Sequence, residues 1–247
     1  MLIEKNKGSL VYFQFKQFTN YEHIFHHLFS SRIGWSNDKK KIKEQLSTLV
    51  GVPTENIIDV KQVHGTEIVI VDSNIKDFLN NPLEADGLIT DRPGITLITY
   101  HADCVPVYFV DISKKVVGLA HSGWKGTFNN ITGKMLKTMK EQYDSNKEDI
   151  LVGIGPAIGP CCYEVKDDLI QLFTERYSNY DNILRIDGNK AFLDLWKVNY
   201  LQILEEGIPE ENIILANSCT SCNIDKFYSY RREKGIANRM IAAISLK

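Results

Sequence analysis

ITLITYHADCVPVYFVDISKKVVGLAHSG, residues 95–123, contains three apolar runs: 95–104, 105–111 and 115–123. All three are rich in β-branched and aromatic residues, which suit a pleated, buried surface. Asp-Arg-Pro-Gly (91–94) leads into the first run, and Asp-Ile-Ser-Lys-Lys (111–115) separates the second from the third; both have turn chemistry. Strands that follow one another without intervening helices predict α+β with a mixed β-sheet core, not a doubly wound dinucleotide fold. No G-x-G-x-x-G follows a strand and opens a helix, and no P-loop is present.

Outward from this block, SLVYFQFK (9–16) alternates as a strand does. Residues 38–51 have helical spacing, with Asp38 as N-cap and Gly51 as stop. IIDVKQVHG (57–65) and TEIVIVD (66–72) read as two strands around a tight turn at Gly65, and ADGLIT (85–90) as another strand. FNNITGKMLKTMKEQY (128–143) reads as one helix despite Gly133, and further helices are expected near 166–178 and 193–206. ILVGIGPAIGP (150–160) begins as a buried strand and ends as a loop, NIILAN (212–217) is a strand, and FYSYRRE (227–233) reads as a strand end. With no repeat and no linker, residues 1–247 are expected to form a single domain.

The 247 residues are 43% apolar and 24% charged, with a formal net charge of −2. That balance gives no reason to expect a nucleic-acid or anionic-membrane partner. No run reaches the roughly 20 apolar residues of a membrane helix, and MLIEKNKGSL is too polar for a signal peptide, so a cytoplasmic protein is expected. In a reducing compartment, cysteines are core residues, metal ligands or nucleophiles more often than disulfides. The five here are Cys104, Cys161, Cys162, Cys219 and Cys222.

His64, Cys104 and His121 each lie at or just past the end of an apolar run, beside a turn or a glycine. Two imidazoles and a thiolate suit zinc with a fourth position open. The alternative is a small buried core cysteine and two hydrogen-bonded histidines. Asp86 and Asp103 are placed to orient a histidine or move a proton. On an extended strand Asp103 and Cys104 face opposite ways, as do His101 and Cys104, unless the chain bends. Lys125, in the glycine-rich turn before a helix, and Arg32, Arg231 and Arg232 are candidate anion holders. Cys219 and Cys222 form a C-x-x-C. The second pair a structural zinc needs would be Cys161 and Cys162, and adjacent cysteines chelate one tetrahedral ion poorly, so these four read as incidental thiols. His23, His26 and His27 read as structural.

KQVHG, EADGLIT, YHADCVPVYFVD, GLAHSGWKG, GIGPAIGPCCYEV and a closing YSYRRE…R, whose last arginine is Arg239, occur in the order seen in one family. The chain resembles the laccase-domain, or multicopper polyphenol oxidoreductase, family, now described as zinc-dependent purine nucleoside phosphorylases. The resemblance runs from about residue 57 to the end, and more weakly before it. It implies a layered α/β/β/α sandwich and zinc ligands at His64, Cys104 and His121. It also implies phosphorolysis of adenosine, inosine and methylthioadenosine to base and ribose 1-phosphate, with deamination of adenosine. Cys104 and Asp103 are then the expected catalytic residues, and Arg32, Lys125 and Arg231 the expected substrate contacts. Competing readings are a copper oxidase of phenols, for which six histidines are too few, an amidase-like hydrolase editing peptidoglycan precursors, and a binding protein whose pocket holds purines or whose thiols buffer zinc. Two positions depart from the family pattern. Trp35 stands where its N-terminal segment has a second glycine, and GWRG is GWKG here, which keeps the charge at Lys125 but not the bidentate fork.

Overall fold

The computed structural model describes residues 1–72, 83–235 and 238–247. Its organising strand is β8 (Val105–Asp111), buried along its whole length, whose two faces enter two different cores. Val107 and Phe109 point one way, Tyr108 and Val110 the other, as the two-residue period of a strand requires. Each large apolar side chain fully buried in this way stabilises the fold by roughly 2 kcal/mol.

One six-stranded sheet has the order β1 (Leu2–Lys7), β2 (Leu10–Phe15), β3 (Phe25–Ser30), β15 (Met240–Leu246), β7 (Thr96–His101), β4 (Ile57–Ile58). The second has the order β14 (Ile213–Leu215), β10 (Ile150–Ile154), β8, β9 (Val116–Ser122), β6 (Gly87–Thr90), β5 (Ile68–Ile70). Both are mixed: β4 runs parallel to β7, β5 to β6 and β14 to β10, while the remaining pairs are antiparallel. Phe15, Leu97, Tyr108, Val110, Ala242 and Ile244 fill the space between the sheets. On the outer face of the first sheet, Ile98, Ile241 and Ala243 pack on Ile42 and Leu46 of helix α1 (Lys39–Val50). The outer face of the second is covered by α3 (Ile131–Tyr143), through Met135 and Met139, and by α5 (Leu195–Glu205), through Val198 and Ile203. The layers are therefore α/β/β/α, as expected. A small sheet of β11 (Glu164–Val165), β13 (Lys190–Leu193) and β12 (Leu184–Asp187), with α4 (Asp167–Arg176), adjoins the second helical layer. No described helix is long and apolar enough to cross a membrane.

Helix α1 has the predicted caps: Asp38 accepts from Lys41 N at 2.9 Å, and Gly51 closes the helix at φ +78°. The expected helix at 128–143 begins earlier and breaks. A short α2 (Trp124–Phe128) is followed by Asn130 at φ +55°, whose side chain caps α3 through Gly133 N. A Cβ at Gly133 would stand 2.5 Å from Nδ2 of the capping Asn130 and 2.7 Å from Glu206 Oε1, so both side-chain ends would have to shift to admit a larger residue. Two strand expectations fail. Residues 57–72 do not form a hairpin: β4 belongs to the first sheet and β5 to the second, so the chain crosses between layers near His64. Residues 227–233 are turn and coil, because this segment is folded around a buried carboxylate.

Candidate functional site

The crossing from β4 to β5 carries His64 in a left-handed backbone conformation, φ +58°. Such a conformation costs an ordinary residue about 1 kcal/mol and persists only when neighbours hold it. Here the buried Asp86 holds it, accepting from the backbone N–H groups of Val63 (3.2 Å), His64 (3.1 Å) and Gly65 (2.6 Å). The same carboxylate pairs with His121 Nδ1 at 2.7 Å. Asp86 thus orients two of the three predicted ligands, one through its backbone and one through its ring. Burial works to raise its pKa, and the bonds from His121, Gly65 and Val63 outweigh that and lower it.

Cys104 follows a sharp bend. Asp103 has φ +86°, which breaks the strand alternation between β7 and β8. The parity expected for residues 101–104 therefore fails, and His101 turns back onto the cysteine backbone. His101 Nδ1 lies 3.0 Å from Cys104 O and Nε2 lies 2.7 Å from Thr99 Oγ1. Its ring packs on His121 with centroids 5.2 Å apart. Burial keeps this imidazole neutral, with its pKa well below the usual value.

The donor atoms of His64, Cys104 and His121 lie within 4.8 Å of one another. With Nδ1 of His121 held by Asp86, Nε2 is the ring nitrogen left for a ligand, the arrangement metal-binding histidines use. Gly123 closes the floor: a Cβ there would stand 2.7 Å from His64 Nδ1 and 3.1 Å from Cys104 Sγ. Burial pushes the Cys104 thiol up, but the charge of His121 and hydrogen bonds from both histidines reverse this and bring it to about 6. His121 rises to about 9: burial opposes its charged form, and Cys104 and Asp86 outweigh burial. A thiolate between two imidazoles, three ligands with one side open, fits a borderline-soft divalent metal such as zinc.

The cluster lies in a cavity of about 1000 Å³. That is the upper end of the range for small-molecule sites and leaves room for two reactants. Lys125 and Arg231 are among the residues that line it. Arg231 Nη1 donates to Glu164 O at 2.8 Å, and its guanidinium lies over Tyr163, 5.1 Å from the ring centroid. Arg32 is not among the lining residues. Its Nη1 donates to Ile224 O at 2.9 Å, and its guanidinium lies over Tyr228 at 4.7 Å, so it braces the C-terminal segment. Asp103 borders the cavity, but its carboxylate already accepts from Thr220 Oγ1 (2.6 Å), Ser229 Oγ (3.0 Å) and Arg231 N (2.7 Å). Arg232 likewise turns away, donating to the carbonyls of Thr220, Ser221 and Phe227.

Sequence reasoning missed Arg239, Gln62, Tyr100, Trp124 and Tyr163, all of which line the cavity. The composition of GLAHSGWKG and CCYEV offered aromatic residues beside the motifs, and Arg239 is the arginine that follows YSYRRE in the motif order. The remaining cysteines, read from the sequence as incidental thiols, are brought together by the fold. The sulfurs of Cys161, Cys162, Cys219 and Cys222 come together within 4.8 Å. The adjacent pair sits in a turn after Gly159 rather than on a strand, so both sulfurs face the same way.

Residues 31–247 match the model of the family described as multi-copper polyphenol oxidoreductase laccase. The chain is 36% identical over 225 residues to purine nucleoside phosphorylase YlmD of Geobacillus stearothermophilus, covering 88% of this chain and 81% of that one. It is 40% identical over 210 residues to purine nucleoside phosphorylase SERP0752 of Staphylococcus epidermidis, covering 82% and 77%. The crystal structure of Geobacillus stearothermophilus YlmD superposes over 100% of both chains with TM-score 0.86 and 29% identity. That of Bacillus licheniformis hypothetical protein YfiH does so over 99% of both with TM-score 0.86 and 28% identity. The match spans the metal-ligand candidates and the cavity around them, and the chain belongs to the multi-copper polyphenol oxidoreductase laccase family.

Proposed function

We propose that the chain is a zinc-dependent purine nucleoside phosphorylase. It would split adenosine, inosine and methylthioadenosine with phosphate into base and ribose 1-phosphate, and also deaminate adenosine. The observation that carries this reading is an open two-histidine, one-cysteine set at the floor of a large cavity whose walls hold Lys125 and Arg231. The names of the relatives support the nucleoside and phosphate as substrates.

His64, Cys104 and His121 would hold the metal, and Asp86 keeps both histidines aimed at it. Bound there, zinc supplies a Lewis acid beside the reacting centre and a means of activating water for deamination. The rest of the work falls to the chain. Lys125 and Arg231 hold the phosphate, which must reach the anomeric carbon as the sugar gains oxocarbenium character. Trp124 and Tyr163 offer ring surface to the purine. Asp103, with its carboxylate committed to the 220–231 segment, acts as a positioning residue that fixes the Arg231 backbone. The family description mentions copper, but a multicopper centre needs several histidine-rich sites. All six histidines are described, and only His64 and His121 join a metal-donor group.

The test is metal analysis of untagged protein, followed by assay of adenosine with and without phosphate, quantifying adenine, ribose 1-phosphate and inosine. Near-stoichiometric zinc with phosphate-dependent adenine is expected. Cys104→Ala should remove the metal and lower phosphorolysis by more than the roughly 100-fold that follows loss of a partner behind a metal ligand. Wild-type turnover in that variant, or adenosine left untouched by metal-replete protein, would overturn the reading.

A further inference from the structure

Cys161 and Cys162 follow β10 by way of a Gly/Pro loop. Cys219 and Cys222 lie in the segment between β14 and β15. Main-chain bonds bring the two stretches together: Ala157 N donates to Ser218 O (3.3 Å), Thr220 N donates to Ala157 O (3.0 Å), and Ala157 and Cys219 form a parallel bridge. Beyond that bridge, Gly159 O accepts from both Cys162 N and Tyr163 N at 2.9 Å, making a turn that directs two successive thiols to one point. Cys222 Sγ lies 3.4 Å from the sulfurs of both Cys161 and Cys162. The N–H of Gly159 points at Cys219 Sγ at 3.3 Å, and the Cys222 N–H acts on the same sulfur. Backbone N–H groups aimed at a sulfur stabilise it as a thiolate.

From this geometry we infer a second metal site, a closed tetrathiolate of Cys161, Cys162, Cys219 and Cys222 for one divalent ion of the zinc class. Four sulfurs at about 2.3 Å from a tetrahedral zinc stand about 3.8 Å apart. The sulfurs here, with two separations of 3.4 Å and all within 4.8 Å, need only small rotations to reach that figure. Zinc and ferrous iron share this chemistry. Unlike the His64–Cys104–His121 set, this group spends every position on protein ligands, so its role is structural. It staples the loop after β10 to the segment that starts at Cys219. The next residue, Thr220, donates to Asp103, and Asp103 precedes Cys104 and holds Arg231 N. The staple therefore fixes the outer wall of the cavity from a distance. It stands independently of the phosphorylase reading.

The test is elemental analysis of the full-length protein beside three variants: Cys161→Ser/Cys222→Ser, His64→Ala/Cys104→Ala, and the two combined. The structure predicts about two ions per chain in the parent, about one in each double variant and none in the combination. Elemental identity separates zinc from iron. The His64→Ala/Cys104→Ala protein, which keeps all four thiols, guards against a serine variant that fails to fold. Treating it with a thiol reagent should release its remaining ion in step with cysteine modification. Parent-level metal in Cys161→Ser/Cys222→Ser, thiols that react with no release of metal, or an intact mass showing a disulfide within the group would each overturn the inference.

Discussion

His27 replaces a rung of the ladder between β2 and β3. The regular pairs there are Tyr12–Ser30 and Phe13–Phe29. Further along, the Phe15 N–H donates to His27 Nε2 at 2.8 Å, and Gln14 Nε2 donates to His27 O at 2.9 Å. The ring lies among Phe15, Phe18, Phe25 and Tyr108. Burial, aided by His26, pushes its pKa from 6.5 down to about 3. Between those values the unfolded chain binds a proton that the native state refuses, so stability is full above the unfolded value and falls with acidification. The slope approaches about 1.4 kcal/mol per pH unit. From neutrality to about pH 5 the loss from this one residue should be about 2 kcal/mol. His27→Gln keeps an acceptor for Phe15 N–H and does not titrate. Urea midpoints for the two proteins should therefore diverge as pH falls, the parent losing more. Parallel curves would mean that His27 takes up its proton equally in the folded and unfolded chain, and that burial does not lower its pKa.

The turn that delivers the chain to α1 depends on Gly34. Its φ is +81°, and a Cβ there would stand 2.0 Å from Ser9 O. Gln45 of α1 brackets the turn, donating to Gly34 O and accepting from Ser36 N, both at 2.9 Å. Trp35, the residue that departs from the family pattern, is buried beside α1 and donates to Val11 O at 2.8 Å. Gly51 at the other end of α1 has a similar φ of +78° with no atom within 4 Å of a built Cβ. Gly51→Ala should cost about 1 kcal/mol, the left-handed penalty alone. Gly34→Ala adds a backbone collision and should cost roughly 2–4 kcal/mol. Equal shifts in thermal midpoint would show that the crowding at Gly34 relaxes freely. Helix α1, with its caps on the surface of the sequence pattern, was legible, and so was the block from β7 to β9. So too were His64, Cys104 and His121, because strand ends beside turns are visible in a pattern of apolar runs. Strand β15 was not: MIAAISL is buried on both faces between a sheet core and α1, so no alternation marks it. Nor was the route of residues 57–72, since two short strands look alike whether they pair with each other or enter different sheets. The cysteine cluster was hidden for the same reason. Only the turn at Gly159 tells adjacent thiols that face together from thiols that face apart.

The whole molecule carries a formal net charge of −2, yet its cavity does not share that sign. Five cationic side chains line it: Lys39, Lys61, Lys125, Arg231 and Arg239. Lys39 is paired with Asp59 and Lys61 with Glu84, while Lys125, Arg231 and Arg239 have no carboxylate within ion-pair distance among the described residues. The lining carboxylate, Asp103, is committed to Thr220, Ser229 and Arg231. A concave wall with an excess of one sign and low-dielectric surroundings focuses the field and gathers counter-ions. If phosphate is the second substrate, this field acts on it and not on the neutral nucleoside. Raising an inert salt from about 0.01 M to about 0.15 M shortens the screening length from about 30 Å to about 8 Å. The KM for phosphate should then rise several-fold, on the order expected for steered anions. The KM for adenosine and the kcat at saturating phosphate should change little, because contacts at the reacting centre lie inside the screening length at either salt. Arg239→Gln, which removes a charge from the wall without touching the three metal-ligand candidates, should lower the salt slope for phosphate. A phosphate KM that ignores salt would mean that short-range contacts alone select the anion. A salt response shared equally by adenosine would locate the effect in the fold and not in the field of the cavity.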